Sequence, residues 1–248
     1  MSGALTGRRA LVTGGSRGIG AEIVRRLTAD GAAVGFTYSA SKADADELVA
    51  DVTANGAKAV AIEADAADPT QTAAAVDTAA AELGGLDVVV NNAGIIYFGP
   101  VNELTQEQYD RLVAVNIGGT FWTVHSALKH LREGARIINI GSCNADRVSA
   151  PTSLSAYAMT KGAISSFTRG LARDLGPLGI TVNNVQPGPV ITDMNPGEGD
   201  FAEYMKKVTA LGRYGHTSEV AAMVSFLASS QSSYMTGTNV SVDGGYTA

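Results

Sequence analysis

The chain has 248 residues, of which 45% are hydrophobic and 17% charged, enough apolar material for a sizeable core and too little charge for disorder. Its formal net charge of −6 argues against polyanionic partners, so we expect neither nucleic acid nor a membrane. The single cysteine, Cys143, excludes an internal disulfide, and the N-terminus lacks a signal-peptide profile, so we expect a cytoplasmic protein.

Seven short β-branched or apolar runs alternate with longer alanine-rich segments of helical periodicity. The repeated strand-then-helix order predicts an α/β protein, with a seven-stranded parallel sheet and helices on both faces in a doubly wound Rossmann fold. No linker or repeat marks a second domain, so residues 1–248 are predicted to form one domain. The predicted strands are Arg9 to Thr13, Ala33 to Tyr38, Ala59 to Glu63, Leu86 to Val90, Arg136 to Ile140, Thr181 to Gln186 and Asn239 to Val242.

The first predicted strand runs into a glycine-rich turn, followed by a helix that we expect to begin near Ala21. Missing side chains permit a tight turn and the close approach of a pyrophosphate to backbone N–H groups, and the helix N-terminus favours its negative charge. Glycines could serve packing alone, but their place between the first strand and the first helix favours a dinucleotide site. Its predicted residues are Gly14, Ser16, Arg17, Gly18, Ile19 and Gly20.

The second predicted strand ends without the Asp or Glu that an NAD-binding chain places on the ribose hydroxyls. The end of this strand carries hydroxyl groups and cations instead, and these would bind a ribose 2′-phosphate. We therefore predict that NADP(H) is preferred over NAD(H). The predicted contacts are Arg17, Tyr38, Ser39, Ser41 and Lys42, although Arg17 and Lys42 could also be ordinary solvated charges.

Tyr157 and Lys161 are four residues apart in a predicted helix from Ser155 to Leu175, so they share one helix face. Reduction of a carbonyl needs a proton donor, and a phenol of pKa about 10 donates readily when a nearby ammonium stabilises its anion. Ser142, at the end of the fifth predicted strand, could donate a second hydrogen bond to the substrate oxygen. Most Tyr/Lys pairs at this spacing are ordinary surface pairs, so the spacing alone favours that interpretation.

A stretch rich in Gly and Pro, Pro187 to Asp200, is predicted to be irregular and to belong to a substrate lid at about 188–215. The lid is mildly acidic, which favours small or medium neutral ketones over polyanionic substrates. Candidate walls of the substrate pocket are Ile96, Cys143, Met194 and Phe201, and Cys143 has no neighbouring His to make it a nucleophile.

Several motifs occur together in a distinctive order and spacing: Thr13-Gly14 with Gly18 and Gly20, Asn91-Asn92-Ala93-Gly94, Asn116, Ser142, Tyr157 with Lys161, Pro187-Gly188 and Val242-Asp243-Gly244-Gly245. With these motifs the chain resembles the short-chain dehydrogenase/reductase family over essentially its whole length. The branch it resembles contains 3-oxoacyl-carrier-protein reductases and NADPH-dependent carbonyl reductases.

The resemblance implies a role for each matching residue. Tyr157 would be the general acid/base, Lys161 would lower its pKa and hold the nicotinamide ribose, Ser142 would orient the carbonyl, and Asn116 would position a water in a proton relay to Lys161. The remaining matches imply cofactor contacts on the adenine-ribose side, at the adenine and at the carboxamide: Asn92, Ala93 and Gly94; Asp65 and Ala66; Pro187, Gly188, Val190 and Thr192.

The predicted function is NADPH-dependent, reversible reduction of a ketone to a secondary alcohol. One alternative is a 3-oxoacyl-carrier-protein reductase, whose acidic carrier would dock on Lys129, Arg132, Arg169 and Arg173. A second is an NADP- or nucleotide-binding regulatory protein with little turnover. The resemblance also implies a homotetramer or homodimer, with contacts through the helix of Tyr157 and the C-terminal segment. We expect no metal, because His125, His130 and His216 show no ligand spacing.

Overall fold

The computed structural model describes residues 3–148 and 153–248. They contain one parallel sheet of seven strands in the order β3-β2-β1-β4-β5-β6-β7. All seven predicted strands are confirmed, and four of them have the predicted bounds. The strands are β1 (Arg9–Val12), β2 (Ala33–Tyr38), β3 (Ala59–Glu63), β4 (Val88–Asn91), β5 (Arg136–Ile140), β6 (Thr181–Pro187) and β7 (Asn239–Val242).

Helices cover both faces of this sheet, which confirms the doubly wound fold. They are α1 (Gly18–Ala29), α2 (Lys42–Ala54), α3 (Pro69–Leu83), α4 (Gln106–Val113), α5 (Thr120–Ala127), α6 (Ser155–Leu175), α7 (Gly199–Val208) and α8 (Thr217–Ala228). A π-helical turn, Ala114–Gly119, joins α4 to α5. In the described parts of the chain, no helix is long and apolar enough to cross a membrane.

Alternate residues of β1 point to opposite faces of the sheet and so belong to different cores. Ala10 and Val12 pack in one buried cluster with α1, α2 and α8, whereas Leu11 packs in the other with α3, α5 and α6. β1 pairs with β2 on one side and with β4 on the other, so the strand order reverses beside β1. In such sheets the crevice for a ligand opens at the carboxyl ends of the strands, at this reversal.

Besides the ends of three strands, the start of α1 and the form of the lid differ from the sequence predictions. α1 begins at Gly18, three residues before the predicted Ala21, because Arg17 is still extended (φ −148°) and the glycine turn leads directly into the helix. The predicted lid contains a helix, α7, between irregular segments. α7 buries Ala202 and Met205 on one side, and this small apolar face packs against Cys143 and Tyr246.

Candidate active site

A continuous cleft of about 880 Å³ opens along the carboxyl edge of the sheet. This volume is within the usual range of cofactor and substrate sites. The cleft is lined by every predicted cofactor and substrate residue except Lys42, and by three of the four predicted catalytic residues, Ser142, Tyr157 and Lys161. The structure thus brings together groups that are as far apart in the sequence as Gly14 and Phe201.

At one end of the cleft, Asn92 holds the glycine-rich turn. Its Nδ2 donates to the carbonyl oxygens of Thr13 at 3.0 Å and Gly14 at 2.8 Å. Gly14 has a φ of +63°, which L-residues with a side chain rarely adopt. A Cβ at Gly20 would lie 2.1 Å from the Gly14 carbonyl oxygen, so close packing of α1 on the turn requires this glycine. The glycines of the turn therefore form a backbone cradle at the start of α1.

The N-terminus of α1 faces this cradle and is ready to receive an anion. No side chain caps the helix, and its first turn contains no acidic residue. Unpaired N–H groups and the helix dipole favour a phosphate at such a position. The cradle, the uncapped helix and the length of the cleft together fit the pyrophosphate of a dinucleotide.

The end of β2 continues this part of the cleft. Tyr38, Ser39 and Ser41 line it together with Arg17, and none of the four is a carboxylate. Lys42 was predicted to contact the ribose 2′-phosphate, but it does not line the cleft. As the first residue of α2, it pairs with Asp46 one turn later, with Nζ 2.6 Å from Oδ2.

The segment after β3 supplies another wall of the cleft. Asp65 and Ala66 line it as predicted, and Arg111 of α4 lines it beside them. Arg111 Nη1 is 2.7 Å from Asp65 Oδ2. Arg111 was not predicted from the sequence, because its partner is 46 positions away and no local pattern signals the contact.

At the other end of the cleft, Tyr157 and Lys161 project from the first turns of α6. Lys161 Nζ lies 5.7 Å from the centroid of the Tyr157 ring and donates to the carbonyl oxygen of Ile140 at 2.9 Å. Lys161 is only 5% exposed, which excludes the surface pair that the spacing alone allowed. Ser142, which is buried after β5, accepts a hydrogen bond from the Asn144 backbone at 3.1 Å.

Burial shifts the pKa values of this pair in opposite directions. It raises the pKa of Tyr157 to about 12, and a hydrogen bond with Ser142 offsets only part of that rise. It lowers the pKa of Lys161 to about 8. Removal of the phenol from water outweighs the other influences on Tyr157, and Lys161 is not among them, so the implied lowering of this pKa by Lys161 stays a prediction.

Asn116 lies on the π-helical turn and is 1% exposed. Its side chain is bonded to the backbone of Ile95, accepting at 2.8 Å and donating at 3.0 Å, and it donates to Thr160 Oγ1 at 3.0 Å. Asn116 Oδ1 and Lys161 Nζ each lie 3.5 Å from the point that a Cβ of Gly94 would occupy. Asn116 thus stands behind the cleft, and its role in positioning a water remains a prediction.

The substrate end has apolar walls and an acidic rim. Ile96, Cys143, Met194 and Phe201 line the cleft, although their contact with a substrate stays a prediction. Burial raises the pKa of the Cys143 thiol to about 12. The aromatic ring of Phe98, 62% exposed and four residues after the Asn-Asn-Ala-Gly motif, was missed. Two lid carboxylates, Asp193 and Glu198, complete this lining.

The three histidines do not line the cleft. His125 contacts the rings of Phe121 and Trp122, His130 Nε2 is 2.7 Å from Asp77 Oδ1, and His216 precedes α8. Within residues 3–148 and 153–248, no group of three or more His, Cys, Asp or Glu side chains is placed to hold a metal ion.

A protein-family model and individual known proteins match the sequence of this chain. A family model described as "Enoyl-(Acyl carrier protein) reductase" matches residues 14–247. The chain is 44% identical to the cyclic-di-GMP-binding biofilm dispersal mediator protein of Escherichia coli K12, over 99% of this chain and 100% of that protein.

Two solved structures share the whole fold. A short-chain dehydrogenase/reductase from Serratia marcescens superposes with a TM-score of 0.97 at 49% identity, covering 99% of this chain and 100% of that one. A short-chain dehydrogenase from Burkholderia cenocepacia, solved with NADP, superposes with a TM-score of 0.97 at 47% identity and the same coverage.

Proposed function

Because the chain belongs to the short-chain dehydrogenase/reductase family of oxidoreductases, we propose that it is an NADPH-dependent carbonyl reductase that reversibly converts a ketone into a secondary alcohol. The observation that carries the proposal is the grouping of three side chains in a cleft that also fits a dinucleotide. The buried Lys161 lies beside the Tyr157 ring, and Ser142 is hydrogen-bonded to Tyr157.

NADPH is the proposed cofactor, and when bound it supplies the hydride. The uncapped N-terminus of α1 and the glycine cradle would hold its pyrophosphate. Arg17, Ser39 and Ser41 would bind the 2′-phosphate, at a place where a carboxylate would select NAD. The relative from Burkholderia cenocepacia, which was solved with NADP, supports this choice.

In the proposed reaction Tyr157 is the proton donor. With its pKa at about 12 the phenol stays protonated, and so it can donate a proton to the carbonyl oxygen as that oxygen gains charge. Ser142 donates a second hydrogen bond to the same oxygen. The Lys161 ammonium stabilises the phenolate that forms, and its charge is present below its pKa of about 8.

Small or medium neutral ketones are the proposed substrates. Phe98, Met194 and Phe201 offer apolar contacts, whereas Asp193 and Glu198 would repel the phosphate of an acyl-carrier thioester. Of the basic residues predicted to dock a carrier, Lys129 is paired, with its Nζ 2.8 Å from Asp77 Oδ1. Arg132, Arg169 and Arg173 form no ion pair among the described residues, so they do not argue against a carrier.

A panel of ketones, followed by NADPH oxidation at the nicotinamide absorbance band, tests the proposal. We expect turnover of neutral aliphatic or aryl ketones and little turnover of an acetoacetyl thioester. A clear preference for the thioester would favour the carrier reductase. Binding of NADPH without oxidation by any member of the panel would favour a regulatory role, as the name of the 44% identical relative suggests.

We also propose a homo-oligomer in the cytoplasm, preferably a tetramer. Phe121 and Trp122 on α5 are 44% and 38% exposed and stack edge-to-face at 5.0 Å beside Phe167 of α6. Exposed aromatic clusters of this kind are typical of protein interfaces. Sedimentation equilibrium should give a multiple of the 25.4 kDa chain, and a monomer at micromolar concentration would contradict the proposal.

A further inference from the structure

Two arginine side chains meet at the amino edge of the sheet, at the end opposite the cleft. Arg8 precedes β1, and Arg136 is the first residue of β5. Arg8 Nη1 donates to the carbonyl oxygen of Gly134 at 3.2 Å, and Arg136 Nη1 donates to the same oxygen at 2.9 Å. Because they share this acceptor, the two nitrogens are at most about 6 Å apart, although both guanidinium groups are positively charged.

Arg136 is enclosed by the fold, whereas Arg8 is half-buried. Only 5% of Arg136 is exposed. Its Nη1 also donates to the carbonyl oxygen of Ala135 at 3.2 Å, and its Nε is 3.5 Å from that of Ser229, which is a long hydrogen bond. Its Nη2 donates to none of the described residues, yet this atom is not sealed in the interior. A buried charge without an ionic partner indicates a missing water or ion.

The carboxylates of this region do not neutralise the two arginines. Asp87, which precedes β4 between them, binds Arg9 with both oxygens, at 2.7 Å to Nε and 2.9 Å to Nη2, and Arg8 acts on it only through space. Glu133 is exposed and forms no ion pair in the described parts of the chain. Burial lowers the pKa of Arg136, and the nearby charge of Arg8 lowers it further. Positive charge is thus left uncompensated here, in a chain of net charge −6.

We propose that this edge of the sheet is a binding site for a small oxyanion with the chemistry of phosphate. A tetrahedral oxyanion offers several acceptor oxygens, so it can bind two guanidinium groups at once through charge-assisted hydrogen bonds. Nη2 of Arg136 would supply some of these bonds, and the Arg8 donors that do not bind Gly134 would supply the others. The site lies at the amino ends of β1 and β5, away from the cleft, so the inference is independent of the proposed reaction.

Thermal unfolding of the chain saturated with NADP+ tests this inference. The bound nucleotide keeps phosphate out of the glycine cradle, where an anion could also bind. Sodium phosphate is titrated near neutral pH against sodium chloride of equal ionic strength. A site with a Kd on the order of 1 mM should raise Tm by roughly 4–7 °C at about 20 mM phosphate, because a ligand of the folded state stabilises it, whereas chloride should have little effect.

Two substitutions of Arg8 assign the effect to this site. Arg8→Gln removes one guanidinium group from a half-buried position, so the chain should fold and its Tm should respond to phosphate by less than about 1 °C. Arg8→Glu places a carboxylate beside Arg136. This variant should have a higher Tm than Arg8→Gln without phosphate and should not respond to phosphate, because the new carboxylate takes the place of the anion.

Arg25→Gln is the matched control, because Arg25 pairs with Asp51 at 3.0 Å on an exposed surface. It should keep the full response to phosphate. Equal effects of phosphate and chloride on the wild-type chain would overturn the inference. A full phosphate response in Arg8→Gln, or loss of the response in Arg25→Gln, would overturn it as well, because the anion would then bind elsewhere.

Discussion

Burial acts in opposite directions on the two ionisable groups that α6 presents to the cleft. It favours the neutral form of each group, so the pKa of Tyr157 rises to about 12 while that of Lys161 falls to about 8. Near neutral pH the phenol therefore keeps its proton and the ammonium keeps its charge. This is the pair of states that a proton donor with an electrostatic partner requires.

The pKa of Lys161 predicts the pH dependence of ketone reduction. As pH rises through about 8, Lys161 loses the charge that stabilises the phenolate, so kcat should fall on the alkaline side. A pH profile of kcat at saturating NADPH and ketone checks this. In Lys161→Arg, which stays charged, the alkaline fall should disappear from this range. A flat wild-type profile up to pH about 10 would contradict the assignment.

Arg17 is expected to determine the preference for NADPH over NADH. Arg17→Ala should raise the KM for NADPH roughly tenfold or more and leave that for NADH nearly unchanged, because only NADPH carries the 2′-phosphate. Lys42→Ala is the matched control, since Lys42 pairs with Asp46 outside the cleft. If Lys42→Ala weakens NADPH binding as much as Arg17→Ala, the phosphate site is misplaced.

At the scale of elements, the strands were predictable because they are short β-branched, apolar runs, and the central ones, such as β4 and β5, are buried on both faces of a parallel sheet. The helix of Tyr157 was predictable too, from its three- and four-residue apolar spacing. The π-helical turn that presents Asn116 and the helix inside the lid were not. Their form depends on tertiary partners, such as Ile95 and Thr160 for Asn116, that no local pattern reveals.

Two glycine substitutions, one at the junction between the glycine turn and α1 and one on α6, should have opposite effects on the stability of the fold. Gly20→Ala places a Cβ 2.1 Å from the Gly14 carbonyl oxygen and should destabilise the fold by about 1–3 kcal/mol and weaken NADPH binding. Gly170→Ala, on α6 with open space around its Cβ position, should stabilise the fold by roughly 0.5–1 kcal/mol. Urea unfolding of both variants checks this. Similar stabilities for the two would show that the turn does not need a glycine at position 20.

At the scale of the whole molecule, the sheet brings chemistry from distant parts of the chain to one edge. The glycine turn after β1, Ser142 after β5 and the pair on α6 converge because parallel strands end on the same side. The repeated strand-then-helix pattern predicted the parallel sheet on which this convergence depends, and the motifs predicted the residues that meet there. Charged contacts between separate elements, such as Arg111 with Asp65, became visible only with the folded chain.

Hydride transfer from NADPH to a ketone, with Tyr157 as the proton donor, is the central claim. Its most direct measurement uses NADPH deuterated at C4 of the nicotinamide, with mass spectrometry of the alcohol formed. The wild-type chain should place deuterium on the carbinol carbon. Tyr157→Phe should bind NADPH with similar affinity and form the product about 10²–10⁴-fold more slowly. Undiminished transfer in Tyr157→Phe, or NADPH binding with no deuterium transfer by the wild type, would contradict the account.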